Sequence, residues 1–443
     1  MIKSSIIVLL LLLVFTRPVQ TTASQTQDDF TTDARAFIEL LVNKKFATAV
    51  EQFDSTMKTA LPEAKLEETW NAVLAQTGPF KQAGRARAEK RDAFTVVVVT
   101  CDFQNGPIDV SVVFDQQKRV AGLFFAPGKK GDYASPAYAK ADAFREKEVT
   151  VGAGEWALPA TLTVPVGAGP FPAVVLVHGS GPNDRDETIG PNKPFKDLAG
   201  GLSSKGVAVL RYEKRTKQYG PKLVALGNIT AKEEVLDDAL AAVELLRKTE
   251  GIDAKRIFVL GHSLGGMFLP RIGRLDPNIA GLIALAGATR ALEDVIPGQL
   301  TYIFSLDGSI SAEEQKQIDQ AKEQAAKVKA LKPEDASSKT VVFGVPASYW
   351  LDLRGYDPAE SAKELKQPML ILQGERDYQV TMEDFKRWNA ALAGKKNVTL
   401  KSYPGLNHLF ITGTNRSTPL EYDQPGHIDE RVIDDIASWI KKH

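Results

Sequence analysis

The chain has 443 residues, of which 43% are hydrophobic and 25% charged, an ordinary globular composition with length for two or three domains. Lysine plus arginine and aspartate plus glutamate both number 55, so the balanced charge gives no indication of a nucleic-acid partner. Cys101 is the only cysteine, which excludes an intrachain disulfide.

The first residues, MIKSSIIVLLLLLVFTRPVQTTASQ, have the pattern of a secretory signal. Lys3 supplies the positive start, Ile6 to Phe15 form the apolar core, and Pro18 ends that run before small residues follow. The apolar run is shorter than a bilayer-spanning helix needs. We therefore expect a cleavable signal over residues 1–23 and a secreted or periplasmic mature protein without a membrane span.

Residues 29–126 are predicted to form a small α+β domain. Phe37, Ile38 and Leu41 recur at helical spacing, and a second helix is expected to begin near Pro62. Three strand-like runs follow, AFTVVVVTC, PIDVSVVFD and RVAGLFFA, with an Asn-Gly hairpin signal at 105–106 between the first two. Helices followed by a curved antiparallel meander indicate a cone-like domain.

Residues 127–143 are rich in Gly, Pro, Ala and Lys and are predicted to be the linker between two domains.

From residue 144 to 443 the pattern changes to short apolar runs separated by helical segments. Two alternating strands come first, and six runs follow: PAVVLVHG, VAVLRYE, RIFVLGHS, IAGLIALAGA, PMLILQG and VTLKSYPG. Continuous apolar strands between helices predict a mostly parallel sheet with helices on both faces. Residues 290–360 interrupt the pattern with a charged helix that begins at a capping box, Ser311 and Glu314. We expect this insertion to be a lid over a pocket.

The stretch FVLGHSLGGMFLP carries the clearest chemical signal. Gly261-His262-Ser263-Leu264-Gly265 fits G-x-S-x-G, directly after a predicted strand and at the start of a helical stretch. This is the nucleophile elbow, a strained turn that exposes a serine hydroxyl at a helix N-terminus. Ser263 is therefore the candidate nucleophile.

Backbone amides are expected to stabilise the oxyanion that forms when the serine attacks. The amide of Leu264 follows the nucleophile, and a second donor is expected in the loop after an earlier strand. VVLVHGSGPNDRDE supplies that loop, with Ser180 as the first choice and Gly179 as the second. His178 is predicted to brace the loop.

A nucleophilic serine needs an imidazole that accepts its proton. The chain has five histidines, at positions 178, 262, 408, 427 and 443. His262 adjoins the serine, His178 belongs to the oxyanion loop, and His443 ends the chain, so His408 and His427 remain. His408 lies in a loop just after the last predicted strand. Sites built on a G-x-S-x-G elbow have their histidine base in this position, and we predict that His408 is the base.

The carboxylate that orients the base is expected after the preceding strand. PMLILQGERDYQV offers Glu375 and Asp377, and Asp377 is preferred because it lies a short turn beyond the strand. The predicted order Ser263, Asp377, His408 places all three at the carboxyl ends of strands, where open α/β sheets bind their ligands.

The polar segment from Asn183 to Asp197 permits two interpretations. Its charged residues 184–187 and the charged residues 211–215 after the next strand either pair with one another beside the pocket or form solvated loops.

The motifs HGSGPNDRDETIGPNKPFKDLA, VLRYEKRT, GHSLGG, LQGERDYQV and LNHLF resemble the α/β-hydrolase superfamily, and more closely its secreted bacterial esterases with a small uncharacterised N-terminal domain. The resemblance covers residues 144–443 and implies carboxylic-ester hydrolysis by Ser263 as nucleophile, Asp377 as acid and His408 as base. The N-terminal domain loosely resembles nuclear-transport-factor-2-like cone domains.

The predicted function is a secreted serine hydrolase that cleaves small-molecule carboxylic esters through an acyl-enzyme and needs no metal or organic cofactor. A peptidase or aminopeptidase and a thioesterase of the same fold are alternatives, because both use the same triad. A non-catalytic ligand-binding module is a third alternative. The sequence indicates neither the natural ester nor the oligomeric state.

Overall fold

The computed structural model describes residues 27–91, 93–104, 106–128 and 133–443. The predicted signal at 1–23 and Asn105 of the predicted hairpin lie outside the described residues. Across the described ranges, no helix combines the length and the apolar character needed to cross a membrane. The described residues form two compact units, one within residues 27–128 and the other over residues 133–443.

The first unit packs helices against one face of an antiparallel meander. Its helices are α1 (Gln27–Val42), α2 (Phe46–Glu51), α3 (Ser55–Ala60) and α4 (Glu63–Thr77). Its strands are β1 (Phe80–Arg91), β2 (Phe94–Phe103), β3 (Gly106–Phe114) and β4 (Val120–Pro127), paired in that order. Phe37, Trp70 and Cys101 are buried in its core, and burial raises the pKa of the Cys101 thiol to about 12.

The sequence analysis predicted two helices and three strands in this unit, so two short helices and strand β1 were not predicted. The β1 sequence FKQAGRARAEKR has almost no β-branched residues, which are the usual indication of a strand. Ala83, Ala86 and Ala88 pack against the core while charged residues alternate with most of them. On this edge strand, alanines therefore form the apolar face that larger apolar residues form on the other strands.

The second unit is built on an eight-stranded sheet. Its strands are β5 (Phe144–Val151), β6 (Leu158–Pro165), β7 (Phe171–Val177), β8 (Ala208–Tyr212), β9 (Ile252–His262), β10 (Gly281–Leu285), β13 (Met369–Gly374) and β14 (Val398–Tyr403). The spatial order is β14-β13-β10-β9-β7-β8-β6-β5, in which β5 and β6 are antiparallel and the others parallel. Every strand predicted in this part of the sequence is present.

Helices cover the sheet and fill the segments between strands. They are α5 (Pro194–Ser204), α6 (Arg215–Gln218), α7 (Gly220–Leu226), α8 (Asp237–Arg247), α9 (Leu264–Leu275), α14 (Met382–Leu392) and α15 (Glu430–Lys442). Short 3-10 turns lie at Gly154–Trp156 and Pro419–Asp423, and a π-helical turn at Lys232–Leu236. The apolar strands and helix faces form one continuous core, as a sheet covered on both faces requires.

The insertion between β10 and β13 contains more structure than the one predicted helix. It consists of α10 (Leu292–Phe304), α11 (Ala312–Ala330), a 3-10 turn (Pro333–Ser337), the two-stranded hairpin β11 (Val341–Val342) and β12 (Val345–Pro346), α12 (Ala347–Leu353) and α13 (Pro358–Ala362). The Ser311–Glu314 capping box is present. Part of the insertion packs into a separate apolar cluster that includes Leu300, Ile318 and Trp350, so it forms a small subdomain of the second unit.

Part of the segment predicted as a linker belongs to the second unit. Tyr138 and Ala139 are buried in its core, and the Tyr138 hydroxyl donates to the carbonyl of Ile428 at 2.7 Å. The described chain after residue 132 is thus attached to the sheet domain from its first residues.

Candidate active site

Ser263 lies in a strained turn between β9 and α9. Its backbone has φ 53° and ψ −114°, a conformation that non-glycine residues rarely adopt. The Ser263 amide donates to the carbonyl of Leu285 at 2.9 Å, which attaches the turn to the neighbouring strand β10. The geometry is that of a nucleophile elbow, as the motif predicts.

The two motif glycines are required by close backbone contacts. A Cβ atom at Gly261 would lie 2.3 Å from the carbonyl carbon and oxygen of Gly265. A Cβ atom at Gly265 would lie 2.3 Å from the carbonyl oxygen of Val177 at the end of β7. Both distances are far below van der Waals contact with rigid backbone, so only glycine allows the strand, turn and helix to approach this closely.

Asp377 and His408 are in direct contact. The Asp377 Oδ2 atom lies 2.6 Å from His408 Nδ1, and both residues are about 95% buried. The other carboxylate oxygen accepts the backbone N–H groups of Gln379 and Val380 at 2.8 and 3.0 Å. Because the carboxylate is held by these bonds, it fixes the proton on Nδ1 and leaves Nε2 of His408 as the nitrogen that can accept one.

The two rejected alternatives have other partners. Glu375 accepts a hydrogen bond from the Ser402 hydroxyl at 2.8 Å. His427 is half-exposed and its Nδ1 lies 3.1 Å from Asp197 Oδ1, on helix α5. The structure therefore brings Asp377 to His408 and leaves Glu375 and His427 in separate contacts.

The serine turn and the histidine loop meet at one edge of the sheet. The Nε2–H of His262, next to Ser263, donates to the carbonyl oxygen of His408 at 3.0 Å, and the two imidazole rings are 4.7 Å apart. The hydrogen bonds among the described residues connect His408 to Asp377 and to His262 but not to Ser263. Catalytic hydrogen bonds often close only when substrate binds.

The predicted oxyanion loop adjoins the serine. A Cβ atom at Gly179 would lie 3.3 Å from the Ser263 Cβ. The Gly179 N–H, however, donates to the Glu187 carboxylate at 2.6 Å, so this amide is occupied and the second choice of donor is not supported. Ser180 in the same loop and Leu264 remain, and Leu264 is the first residue of α9, where the N–H has no partner within the helix.

Glu187 and His262 form a buried pair beneath the site. Glu187 Oε2 lies 2.9 Å from His262 Nδ1, with side chains 2% and 7% exposed, although the N–H direction is poorly aligned and the contact is an ion pair. Burial opposes charge on both groups, but each offsets this for the other, which raises the pKa of His262 and lowers the pKa of Glu187. Both ring nitrogens of His262 therefore face acceptors, Glu187 Oε2 and the carbonyl oxygen of His408.

The polar segment after the oxyanion loop forms an ion-pair network. Arg185 contacts Glu213 and Glu148 at 2.9 and 2.6 Å, and the buried guanidinium of Arg211 contacts Asp186. Of the two interpretations of this segment, pairing with residues 211–215 is therefore correct. The network fixes the loop that carries residues 179 and 180 to the neighbouring strand β8.

His178 also has the bracing role predicted for it. Its Nε2 lies 3.0 Å from the carbonyl oxygen of Asp184, and burial lowers the pKa of His178 to about 4. The residue is thus a neutral imidazole that closes the oxyanion loop upon itself.

Aromatic residues of the insertion border the acid and base loops. Tyr302 on α10 stacks on Tyr378, with ring centroids 5.0 Å apart and planes 2° from parallel. Tyr378 follows Asp377, and it clusters with Leu409, which follows His408, and with Tyr422. Tyr302 thus connects the insertion to both loops. Within the described residues, no group of three or more His, Cys, Asp or Glu side chains is arranged to hold a metal ion.

Glu187 and Lys214, whose Nζ donates to the carbonyl oxygen of Gly179 at 2.8 Å, both contact the oxyanion loop, and the sequence did not reveal these contacts. Both stood among the charged segments at 184–187 and 211–215 that were open to two interpretations. The one available signal was their spacing: each lies close after a predicted strand, at the sheet edge that carries Ser263.

Comparison with known proteins identifies similar chains for both units. A family described as serine aminopeptidase, S33, matches residues 170–415, and a domain family of unknown function, DUF3887, matches residues 34–123. Esterase EstD of Thermotoga maritima is 41% identical over 415 residues, which cover 93% of this chain and 96% of that protein.

Solved structures are similar at lower identity. Est1E from Butyrivibrio proteoclasticus with bound ferulic acid is 17% identical, with a TM-score of 0.45 over 66% of this chain and 98% of that one. A putative dienelactone hydrolase from Klebsiella pneumoniae is also 17% identical, with a TM-score of 0.41 over 68% of this chain and 100% of that one.

Proposed function

Because the chain belongs to the serine aminopeptidase S33 family of α/β-hydrolases, we propose that it hydrolyses carboxylic esters with Ser263, His408 and Asp377 as its catalytic triad. Its similarity to Esterase EstD along nearly the whole chain makes it a carboxylesterase-like hydrolase. The observation that carries the proposed triad is the 2.6 Å contact between Asp377 and His408 beside the strained serine turn.

In the proposed reaction, Ser263 Oγ attacks the acyl carbon of the ester while His408 Nε2 accepts the serine proton. Asp377 holds the imidazole in the required tautomer and stabilises the imidazolium that forms. The N–H groups of Leu264 and Ser180 stabilise the oxyanion. His408 then gives its proton to the leaving alcohol, and a water molecule activated by the same histidine hydrolyses the acyl-enzyme to release the acid and free Ser263.

The family description also names a peptidase activity, so an amide substrate is the second candidate. We expect purified protein to hydrolyse p-nitrophenyl butyrate with a kcat/KM at least ~10²-fold above that for alanine p-nitroanilide, because p-nitrophenolate can leave as the anion, whereas the amine of the anilide must be protonated before it leaves. Parallel assays of both chromogenic substrates measure this ratio, with butyryl thiocholine as a thioester comparison. If the anilide is hydrolysed faster than the p-nitrophenyl ester, the protein is a peptidase. If butyryl thiocholine is hydrolysed faster than that ester, the protein is a thioesterase.

We also propose that the insertion at 290–360 is a lid that limits acyl length. The stacking of Tyr302 on Tyr378, next to Asp377, supports this position. Tyr302→Ala is expected to shift the preferred p-nitrophenyl ester toward longer acyl chains, because it removes a ring from the wall beside the acid loop. Val341→Ala, an exposed residue of the same insertion, is the matched control. An unchanged chain-length profile in Tyr302→Ala would contradict a lid at this position.

We further propose that residues 1–23 are a cleaved export signal. The proposal rests on the sequence pattern alone. Determining the first residue of the exported protein tests whether the chain is cleaved after residue 23.

A further inference from the structure

Lys214 is a buried lysine that the proposed reaction does not use. Its side chain is 3% exposed, although lysine is among the residues least often buried unless paired. It lies just after β8. Strand β8 is the neighbour of β7, and β7 precedes the oxyanion loop. A charged side chain in this place requires partners, and the identity of those partners indicates its role.

The partners of Lys214 are one carboxylate and one peptide carbonyl. Its Nζ lies 2.7 Å from Glu234 Oε1 and donates to the carbonyl oxygen of Gly179 at 2.8 Å. Glu234 thus fixes the position of the ammonium, and the ammonium in turn fixes one peptide group of the oxyanion loop.

The carbonyl groups of residues 179–181 in the oxyanion loop accept hydrogen bonds from side chains of this unit. The Asn183 amide donates to the carbonyl oxygens of Gly179 and Ser180 at 3.2 and 3.0 Å. The hydroxyl of Thr216, two residues after Lys214, donates to the carbonyl oxygen of Gly181 at 3.1 Å. Three successive carbonyls are therefore held, and Gly179 is additionally fixed through its N–H by Glu187.

The orientation of one N–H group follows from peptide geometry. In a planar trans peptide the C=O of one residue and the N–H of the next point in opposite directions. Because Lys214 holds the Gly179 carbonyl, the N–H of Ser180 is directed away from Lys214. The ammonium also polarises that peptide group, which makes its N–H a stronger donor to an anion.

We propose that Lys214 is a positioning residue that sets and polarises the Ser180 N–H as an oxyanion donor. This role rests on the proposed function, since it acts only on a reaction that forms an oxyanion at Ser263. Lys214 does not touch the substrate. It acts through the Gly179–Ser180 peptide, and Glu234 holds it in place.

The test compares Lys214→Met with variants that separate its contact to Gly179 from its ion pair. Lys214→Met leaves Glu234 without its cation, so Lys214→Met/Glu234→Gln is made as the variant without an unpaired buried charge. Glu234→Gln alone keeps the lysine and its carbonyl contact. Lys193→Met is the matched control, because Lys193 pairs with Asp186 at 2.9 Å in the same loop but bonds to no carbonyl of residues 179–181.

We expect both variants that lack Lys214 to lose about 10- to 100-fold in kcat for p-nitrophenyl butyrate with KM changed less than about 3-fold, since removal of a whole oxyanion donor costs ~10²–10³ in kcat. Inhibition by phenylboronic acid, which forms a tetrahedral anion on serine, is expected to weaken by a similar factor. Lys193→Met is expected to stay within about 3-fold of the wild type, and Glu234→Gln, which keeps the lysine but removes the carboxylate that holds it, is expected to lie between this control and the variants that lack Lys214. Thermal melting of each variant fixes an assay temperature at which all are folded.

Two results would overturn the role of Lys214. One is a kcat of Lys214→Met/Glu234→Gln within about 3-fold of the Lys193→Met control. The other is a rise of KM in proportion to the lost activity, which would assign Lys214 to substrate binding. If wild-type protein hydrolyses no ester and is not labelled by a fluorophosphonate, the proposed function itself fails, and this outcome is distinct from either of the others.

Discussion

Ser263→Ala is expected to lower kcat for p-nitrophenyl butyrate by at least ~10⁴-fold, because the variant has no nucleophile for the acyl-enzyme and retains only binding and the oxyanion donors. Ser263 is the single residue between β9 and α9, and its strained backbone is held by the hydrogen bond that its N–H donates to the carbonyl oxygen of Leu285. Alanine fits the same backbone, so thermal melting is expected to change little.

Labelling by a fluorophosphonate probe provides the second measurement for this variant. The probe reacts with an activated serine, so wild-type protein is expected to be labelled and Ser263→Ala is not. Ser309→Ala, an exposed serine of the insertion, is the control and is expected to be labelled like the wild type. A folded wild type that is never labelled would favour the ligand-binding alternative, whereas persistent labelling of Ser263→Ala would place the nucleophile at another residue.

His408→Ala is expected to lose at least ~10³-fold in kcat, because the proposed reaction uses the His408 imidazole to accept the proton of Ser263. The variant also leaves the buried Asp377 carboxylate with its amide partners but without the imidazole. The loss is measured with the same ester at a temperature where the variant is folded, as shown by circular dichroism.

His427→Ala is the matched control for the base, since both histidines pair with an aspartate. His427 contacts Asp197 on α5 and is half-exposed, and we expect its variant to retain activity within about 3-fold of the wild type. The reverse result, an active His408→Ala and an inactive His427→Ala, would move the base to His427.

Much of the fold was predictable because its indications are local. The elbow glycines at 261 and 265, the apolar runs of the parallel sheet and the Ser311–Glu314 capping box each lie within a few residues of sequence, and the structure contains all of them. The order of Ser263, Asp377 and His408 was predicted from their positions after three of the predicted strands. Strand β1 was missed because its apolar face is made of alanines, which give a weak local indication.

The contacts around the oxyanion loop were not predictable in the same way. Gly179 and Lys214 are 35 residues apart, but each lies four positions beyond a paired residue of adjacent parallel strands, Val175 on β7 and Leu210 on β8. Their meeting therefore depends on strand order and register. Glu187 and His262 are likewise brought together only by the adjacency of β7 and β9.

The sequence by itself identified the serine, aspartate and histidine of the proposed triad and the strands after which they lie. It could do so because a strand, a tight turn and the start of a helix are each specified by neighbouring residues. The tertiary structure decided that Asp377 and not Glu375 contacts His408, and that the Gly179 N–H is bonded to Glu187. Those assignments depend on the packing of distant strands into one sheet, where buried charges and peptide groups must find partners that no local pattern identifies.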